Sequence, residues 1–264
     1  MYNFNYVKVD TVQGAADALS ASDDGKFLAG GMTLLPTMKQ RLAAPADLID
    51  LGGIADLSGI SVDGGAVTIG ATTTHAAVAA SADVAGAIPA LAELAGLIGD
   101  PQVRNRGTIG GSLANSDPSA DYPAAVIALG ATIVTNSREI AADDYFVDIF
   151  ETALAEDEII TAVRFPVPEK AAYVKFPNPA SRYAVVGVFI CTGGGDVRVG
   201  VTGAGPCAFR ATGVEDALKA DFSAAAVDGV SIDGSSFNED MHASAEFRTS
   251  LVSTGAKRAV AALT

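Results

Sequence analysis

Two glycine-rich segments constrain this chain more than anything else in it. One is Ala29-Gly30-Gly31-Met32-Thr33, the other Thr108-Ile109-Gly110-Gly111-Ser112-Leu113-Ala114-Asn115. Each pairs two glycines with a hydroxyl residue, and each adjoins a stretch of helical character. Glycine lets a backbone come close to another group, and free N–H groups in such a turn form a nest for anions. A helix N-terminus adds roughly half a positive charge. Two such nests suit the two phosphates of a dinucleotide. The bland alternative is a pair of ordinary tight turns.

The chain around them reads as mixed α and β structure. Thr11 caps a short helix over Val12 to Leu19. Lys26 to Ala29 is a short buried strand that ends at the first Gly-Gly. Pro36 falls in the first turn of the next helix, where its missing N–H costs nothing. That helix runs through Met38 and Leu42 and stops before Pro45, and Asp47 to Leu51 follows as a strand. Strand, loop, helix and strand make a βαβ-like unit, hence a small parallel sheet. Val62 to Ala71 reads as a hairpin about Gly64-Gly65. Thr72-Thr73-Thr74 leads into a helix near His75, and Ile88 to Ile98 is a strongly apolar helix. A long polar segment follows, of the kind that is functional when it is ordered. Pro123 opens a helix over Ala124 to Leu129. Strands are expected at Ala131 to Thr135, Ile159 to Phe165 and Ala172 to Phe176. Pro166 and Pro168 mark a boundary between a first domain, 1–165, and a second, 166–264. In the second, strands Ala184 to Cys191 and Val197 to Thr202 flank a glycine turn, with helices over Gly213 to Lys219 and Ala245 to Leu263.

Composition excludes several functions. The 264 residues are 49% hydrophobic and 18% charged, enough for one or two real cores. A net charge of −14 opposes binding to nucleic acid or an anionic membrane. There is no Trp, and aromatics are 6%, so no platform for stacking bases is expected. No signal peptide and no membrane span are visible. The two cysteines, Cys191 and Cys207, cannot by themselves ligate an iron–sulfur cluster. Cytoplasmic residence with free thiols is the expectation. With only His75 and His242 beside them, no zinc or other metal site is expected.

One motif misleads. Gly203-Ala204-Gly205-Pro206-Cys207-Ala208 matches G-x-G-x-x-G/A between a strand and a helix. Pro206 removes a donor that a phosphate loop needs. Ser223 to Gly234 makes a poor second strand, and too little chain remains for a nucleotide-binding half. No hydrolase motif occurs: no G-x-S-x-G, no Cys/His pairing and no HExxH. The chain therefore supports only the chemistry of a bound cofactor, which the protein orients and polarises.

Leu28 to Leu51 reads LAGGMTLLPTMKQRLAAPADLIDL, and Gly99 to Ala125 reads GDPQVRNRGTIGGSLANSDPSADYPAA. Both resemble the FAD-binding medium subunit of the molybdenum hydroxylases, most closely the aerobic carbon monoxide dehydrogenase type. The resemblance covers nearly the whole chain. It implies an α+β fold: a two-subdomain FAD-binding domain with a small parallel sheet and a mixed or antiparallel sheet, then a small α+β C-terminal flavoprotein domain. It implies FAD here, with 2Fe–2S clusters on a small partner subunit and molybdopterin on a large one, in a dimer of heterotrimers. Such a complex is cytoplasmic and able to associate with the inner face of the membrane. It passes electrons from the clusters through FAD to an external acceptor. Related medium subunits serve enzymes that oxidise aldehydes, N-heterocycles or purines. A stand-alone FAD oxidase of related fold, or a scaffold that has lost flavin, remains open.

The resemblance assigns residues. Ala29, Gly30, Gly31, Met32 and Thr33 match the pyrophosphate loop, with Met32 where relatives carry a polar residue. Thr108, Ile109, Gly110, Gly111 and Ser112 match the second flavin-contacting segment. Asp121 matches the carboxylate that accepts from the ribose hydroxyls, against a helix-cap alternative. Asp117 is either a second such carboxylate or an Asx turn before Pro118. Lys175 and Tyr183 lie in the segment expected over the flavin: a cation near its N1/C2 end and an aromatic on one ring face, against a surface lysine and a core tyrosine. Arg104 and Arg106 neutralise phosphate or pair with surface carboxylates. His75 reads as a polar helix cap rather than a catalyst, and His242 as surface. No catalytic residue is expected on this chain.

Overall fold

The computed structural model describes residues 1–264 and builds three main sheets in succession along the chain, with a separate two-stranded ribbon. The first is fully parallel. β1 (Asn5–Lys8) and β2 (Gly25–Leu28) both pair with β3 (Asp47–Asp50), in the order β1-β3-β2. Parallel strands need crossovers, and α1 (Val12–Ser20) and α2 (Leu34–Lys39) supply them. Thr11 caps α1 as expected, its hydroxyl accepting from Gly14 N at 3.0 Å. α2 is shorter than the sequence suggests. It stops at Lys39, Arg41 turns into the left-handed region (φ 63°), and Leu42 is 75% exposed. Leu42 belongs to no buried face, so apolar spacing overran the helix. β1 was not anticipated. Its short NYVK run is mostly exposed at a sheet edge and has no alternating pattern to read.

The second sheet begins with the expected hairpin, β4 (Ile60–Asp63) and β5 (Ala66–Gly70). Helices α3 (His75–Ala80), α4 (Ala82–Ala87) and α5 (Pro89–Gly96) follow. The polar segment after Gly99 is not an irregular loop. It holds α6 (Pro101–Arg104) and α7 (Ile109–Asn115), capped by Asp100 and Thr108. Both caps are side-chain oxygens that accept from the third helical N–H, a signal that the polarity of the stretch obscures. α8 (Tyr122–Ala128) comes next, then β6 (Thr132–Thr135), β7 (Glu139–Ala141), the two-stranded ribbon β8 (Phe146–Asp148) and β9 (Glu151–Thr152), and β10 (Ile160–Pro166). The sheet order is β4-β5-β10-β6-β7, antiparallel throughout.

The third sheet, β11 (Lys170–Pro177), β12 (Ala184–Gly193), β13 (Asp196–Thr202) and β14 (Phe209–Arg210), is also antiparallel. Helices α9 (Thr212–Ala220) and α10 (Ala245–Leu263) pack on it. α10 buries Val252, Gly255, Ala256, Ala259 and Val260, the helical spacing of one apolar face. The Gly203–Ala208 motif is the connection between β13 and β14. An antiparallel β13 cannot head a nucleotide-binding βαβ unit. Gly203 N donates to Pro118 O at 2.8 Å, and Asn238 binds the carbonyls of Ala204 and Gly205.

α8 joins the second and third sheets. Every residue of its YPAAVIA sequence is buried, as an all-apolar helix must be. It packs so close to β13 that a Cβ at Gly200 would stand 2.1 Å from Ala124 O. The resulting core spans Ile69, Ile133, Val163 and Phe165 of the second sheet and Phe189 and Cys191 of the third. No helix is long and apolar enough to cross a membrane.

Candidate cofactor-binding cleft

A cleft of about 620 Å³ opens where the three sheets converge. The first glycine segment forms one wall. Gly31 takes a positive φ of 73°, which favours glycine. The N–H groups from Ala29 to Leu34 find no acceptor within the chain, because the turn lies outside both β2 and the α2 ladder. The residues that carry them, Ala29 to Leu34, all line the cleft. Thr33 occupies the cap position of α2 but makes no side-chain cap; its carbonyl takes Thr37 N and the Thr37 hydroxyl instead. Its own hydroxyl is left uncommitted, and Met32 is exposed beside it.

The second segment is built differently, which corrects the reading of two equivalent nests. Gly111 N donates to Thr108 Oγ1 at 3.1 Å. Ile109 N donates to Thr73 O, Gly110 N to Ala71 O and Ser112 N to Thr108 O, at 2.8–3.1 Å. Its donors are consumed in knitting α7 to the strand-end residues Ala71 and Thr73. A Cβ at Gly110 would stand 2.7 Å from Ala71 O, so that glycine serves close packing. Thr108, Gly110, Gly111 and Ser112 line the cleft, while the Ile109 side chain turns fully into the core.

Asp121 lies on the cleft wall and is 4% exposed. It stands at the cap position of α8 without capping it. Tyr173 Oη donates to its Oδ1 at 2.6 Å and Lys175 Nζ to its Oδ2 at 2.9 Å. Burial pushes this carboxyl up, and Lys175 and Tyr173 pull against it. Lys175 also donates to Leu97 O at 2.9 Å, and its side chain is 3% exposed. Lys175 is not among the lining residues, which corrects the expectation of a lysine facing the cleft. Its ammonium is spent on neutralising Asp121 from behind. Tyr183 stands at the rim, 44% exposed, and is no core tyrosine. Burial of its phenol and the negative charge of Asp117 and Asp121 raise its pKa.

The remaining candidates resolve individually. Asp117 makes the Asx turn, accepting from Ser119 N at 2.8 Å, and also lines the cleft. Arg104 pairs with no carboxylate; it donates to the carbonyls of Ile98 and Gly99, both at 3.0 Å, just after α5. Arg106 is exposed and unpaired. His75 does not cap α3. Thr74 does, with its hydroxyl accepting from Ala77 N. His75 is instead buried in the cleft wall, and His242 is exposed.

The structure adds lining residues that sequence reading missed. Arg182, left-handed at φ 63°, reaches Gly99 O at 3.3 Å from the turn joining β11 to β12. Asn178 ties that turn, its side chain accepting from Ala180 N and Ser181 N. The resemblance places this segment over the flavin, but nothing in its sequence singles out Arg182 or the Asn178 turn. Glu158 also lines the cleft, held by Arg138 at 2.9 Å and by Thr135, Ser137 and Ala155 N. Three acidic residues in a row gave no means of choosing it.

Residues 2–168 match the family described as the FAD-binding domain in molybdopterin dehydrogenase. The nicotine 6-hydroxylase medium subunit of Paenarthrobacter nicotinovorans is 36% identical, over 97% of this chain and 95% of its own. The carbon monoxide dehydrogenase medium chain of Hydrogenophaga pseudoflava is 37% identical, over 90% and 88% respectively. A chain of the cyanide-inactivated Cu,Mo-CO dehydrogenase superposes with a TM-score of 0.88 at 33% identity, covering 98% of this chain and 96% of that one. Sequence, fold and cleft agree, and this chain belongs to the family of FAD-binding medium subunits of the molybdopterin dehydrogenases.

Proposed function

We propose that this chain binds FAD in the cleft and passes electrons from the 2Fe–2S clusters of a small partner subunit to an external acceptor, while a large molybdopterin subunit oxidises the substrate. The observation that carries the reading is the set of uncommitted N–H groups from Ala29 to Leu34, on residues that line a cleft of about 620 Å³. Main-chain donors of this kind suit pyrophosphate oxygens. Thr33 adds a free hydroxyl. Thr108 to Ser112 form the adjoining stretch of wall, with Ile109 and Gly110 holding it in place. Asp121 offers a carboxylate for ribose hydroxyls, Lys175 holds its charge from behind, and Tyr183 covers the rim. Bound flavin supplies one- and two-electron chemistry.

A division into an FAD-binding portion, 1–165, and a C-terminal portion, 166–264, is supported by the family match ending at residue 168. The chain also changes sheets between Pro166 and Lys170. The assembly is a cytoplasmic dimer of heterotrimers. Its substrate is carbon monoxide, a reading supported by the carbon monoxide dehydrogenase medium chain and structure. The near-complete alignment with the nicotine 6-hydroxylase subunit favours an N-heterocycle as the second reading.

The test begins with the absorbance spectrum of the purified chain after incubation with FAD. Flavin bands that survive gel filtration, bleach with dithionite and return in air support the reading; a colourless chain overturns it. Co-purification from the native host, followed by assays with carbon monoxide and nicotine, decides between the substrates. A chain recovered alone that oxidises either one without molybdenum or iron would overturn the division of labour.

A further inference from the structure

His75 is the one side chain of the cleft wall whose polar atoms are unused although it is buried. It is 5% exposed and lines the cleft, and its Nδ1 is enclosed without a hydrogen-bond partner. The ring is held firmly. His75 N donates to Gly107 O at 2.9 Å, Thr74 caps the helix that His75 begins, and the imidazole packs on Tyr122 at 5.4 Å between centroids. Burial, with Arg104 nearby, lowers the imidazole pKa to about 4, so at neutral pH it carries one N–H and one lone pair. With Nδ1 walled off, Nε2 is the nitrogen left for a partner. It lies beside Gly107, another cleft-lining residue, and a Cβ there would stand 2.6 Å from it. Glycine at 107 therefore keeps that nitrogen clear.

We propose that His75 is a hydrogen-bonding residue of the cofactor cleft, presenting Nε2 to an oxygen or nitrogen of the bound flavin dinucleotide. This rests on the FAD reading above. The role differs from that of the Ala29–Leu34 donors, which suit phosphate charge. A neutral imidazole N–H needs no charged partner and can serve a carbonyl oxygen or a ring nitrogen. Its rigid seating means that little side-chain freedom is lost on binding.

The test is FAD affinity, measured on the full chain by fluorescence quenching, for wild type, His75→Phe, His75→Gln and Gly107→Ala. Circular dichroism and thermal melting accompany each variant. His75→Phe keeps a flat ring and removes both nitrogens; its FAD Kd is expected to rise about tenfold, the scale of one hydrogen bond. His75→Gln carries an amide that reaches the Nε2 position and is expected to restore most of the loss. Gly107→Ala crowds Nε2 while leaving His75 in place, and is expected to weaken FAD comparably; it carries the test if His75→Phe fails to fold. A folded His75→Phe or Gly107→Ala that binds FAD like wild type overturns the proposal. Equal losses in the Phe and Gln variants assign the effect to packing and also overturn it. Wild type that binds no FAD overturns the function reading itself, a separate outcome.

Discussion

A Cβ placed on Gly30 would stand 1.9 Å from the carbonyl oxygen of Arg106. The first glycine segment is thus pressed backbone to backbone against Arg106 and Gly107, the residues that lead into the second, and only glycine at position 30 permits the contact. Gly30→Ala is expected to separate the walls and abolish FAD binding, with about 1–3 kcal/mol of stability lost to overpacking. Urea unfolding and FAD titration check both effects.

Within the second segment the two glycines should behave differently. Gly110→Ala meets Ala71 backbone at 2.7 Å, whereas Gly111→Ala meets only the Thr108 hydroxyl at 2.9 Å and Ala29 Cβ at 3.7 Å. Gly110→Ala is expected to cost about 1–3 kcal/mol, and Gly111→Ala less than about 1 kcal/mol. Equal midpoints in urea for the two variants would contradict the packing account.

The Asp121–Lys175 pair is buried on both sides, at 4% and 3% side-chain exposure. Removing one partner strands the other charge, so Lys175→Met is expected to cost about 3–5 kcal/mol. Lys175→Met combined with Asp121→Asn is expected to cost less than Lys175→Met alone, because no net charge is then left buried. A double-mutant cycle in urea measures the coupling; additive losses would show that the charges act independently.

Glu158 gives a pH dependence. Hydrogen bonding from Arg138, reinforced by Ala155 N, Thr135 and Ser137, outweighs burial and holds its carboxyl at about 2, below the ordinary 4.5. A carboxyl depressed by folding stabilises the native state above its unfolded pKa, and that contribution fades as pH falls towards the folded value. The melting temperature of wild type should therefore exceed that of Glu158→Gln most clearly above pH 5. The gap should close between pH 4.5 and about 2. A gap that stays constant across that range would rule the ion pair out as its source.

Phe150 holds a left-handed φ of 55° while 59% exposed. A side chain in this region is strained by about 1–2 kcal/mol, and little burial offsets that here. Phe150→Gly is expected to raise the melting temperature by a few degrees, as scanning calorimetry would show. A lowered melting temperature would mean that the exposed ring makes stabilising contacts.

Much of the architecture was written locally. Thr11 before an alternating helix, Gly64-Gly65 between apolar strands and Pro123 at the head of an apolar run each carry their own turn or cap chemistry. Such signals need no distant partner, so the parallel unit around β2, α2 and β3, the hairpin, the buried α8 and the long α10 were legible from the residues. The resemblance carried by the two glycine segments added the family.

Tertiary structure decided how those segments are used. Both read alike as sequences, yet the donors of Ala29–Leu34 stay free while those of Ile109–Ser112 are consumed by Ala71, Thr73 and Thr108. Thr108 takes the donors of Gly111 and Ser112 locally, but those of Ile109 and Gly110 go to Thr73 and Ala71, more than thirty residues away, and periodicity carries no record of that. The same holds for Lys175, which sequence places near Tyr183 but the fold turns inward to Asp121, and for His75, a helix-start residue that packing makes part of a cleft wall. Local chemistry fixes caps and turns because its partners are a few residues off. The roles of side chains in the cleft depend on burial and on contacts between elements, and these exist only once three sheets have come together.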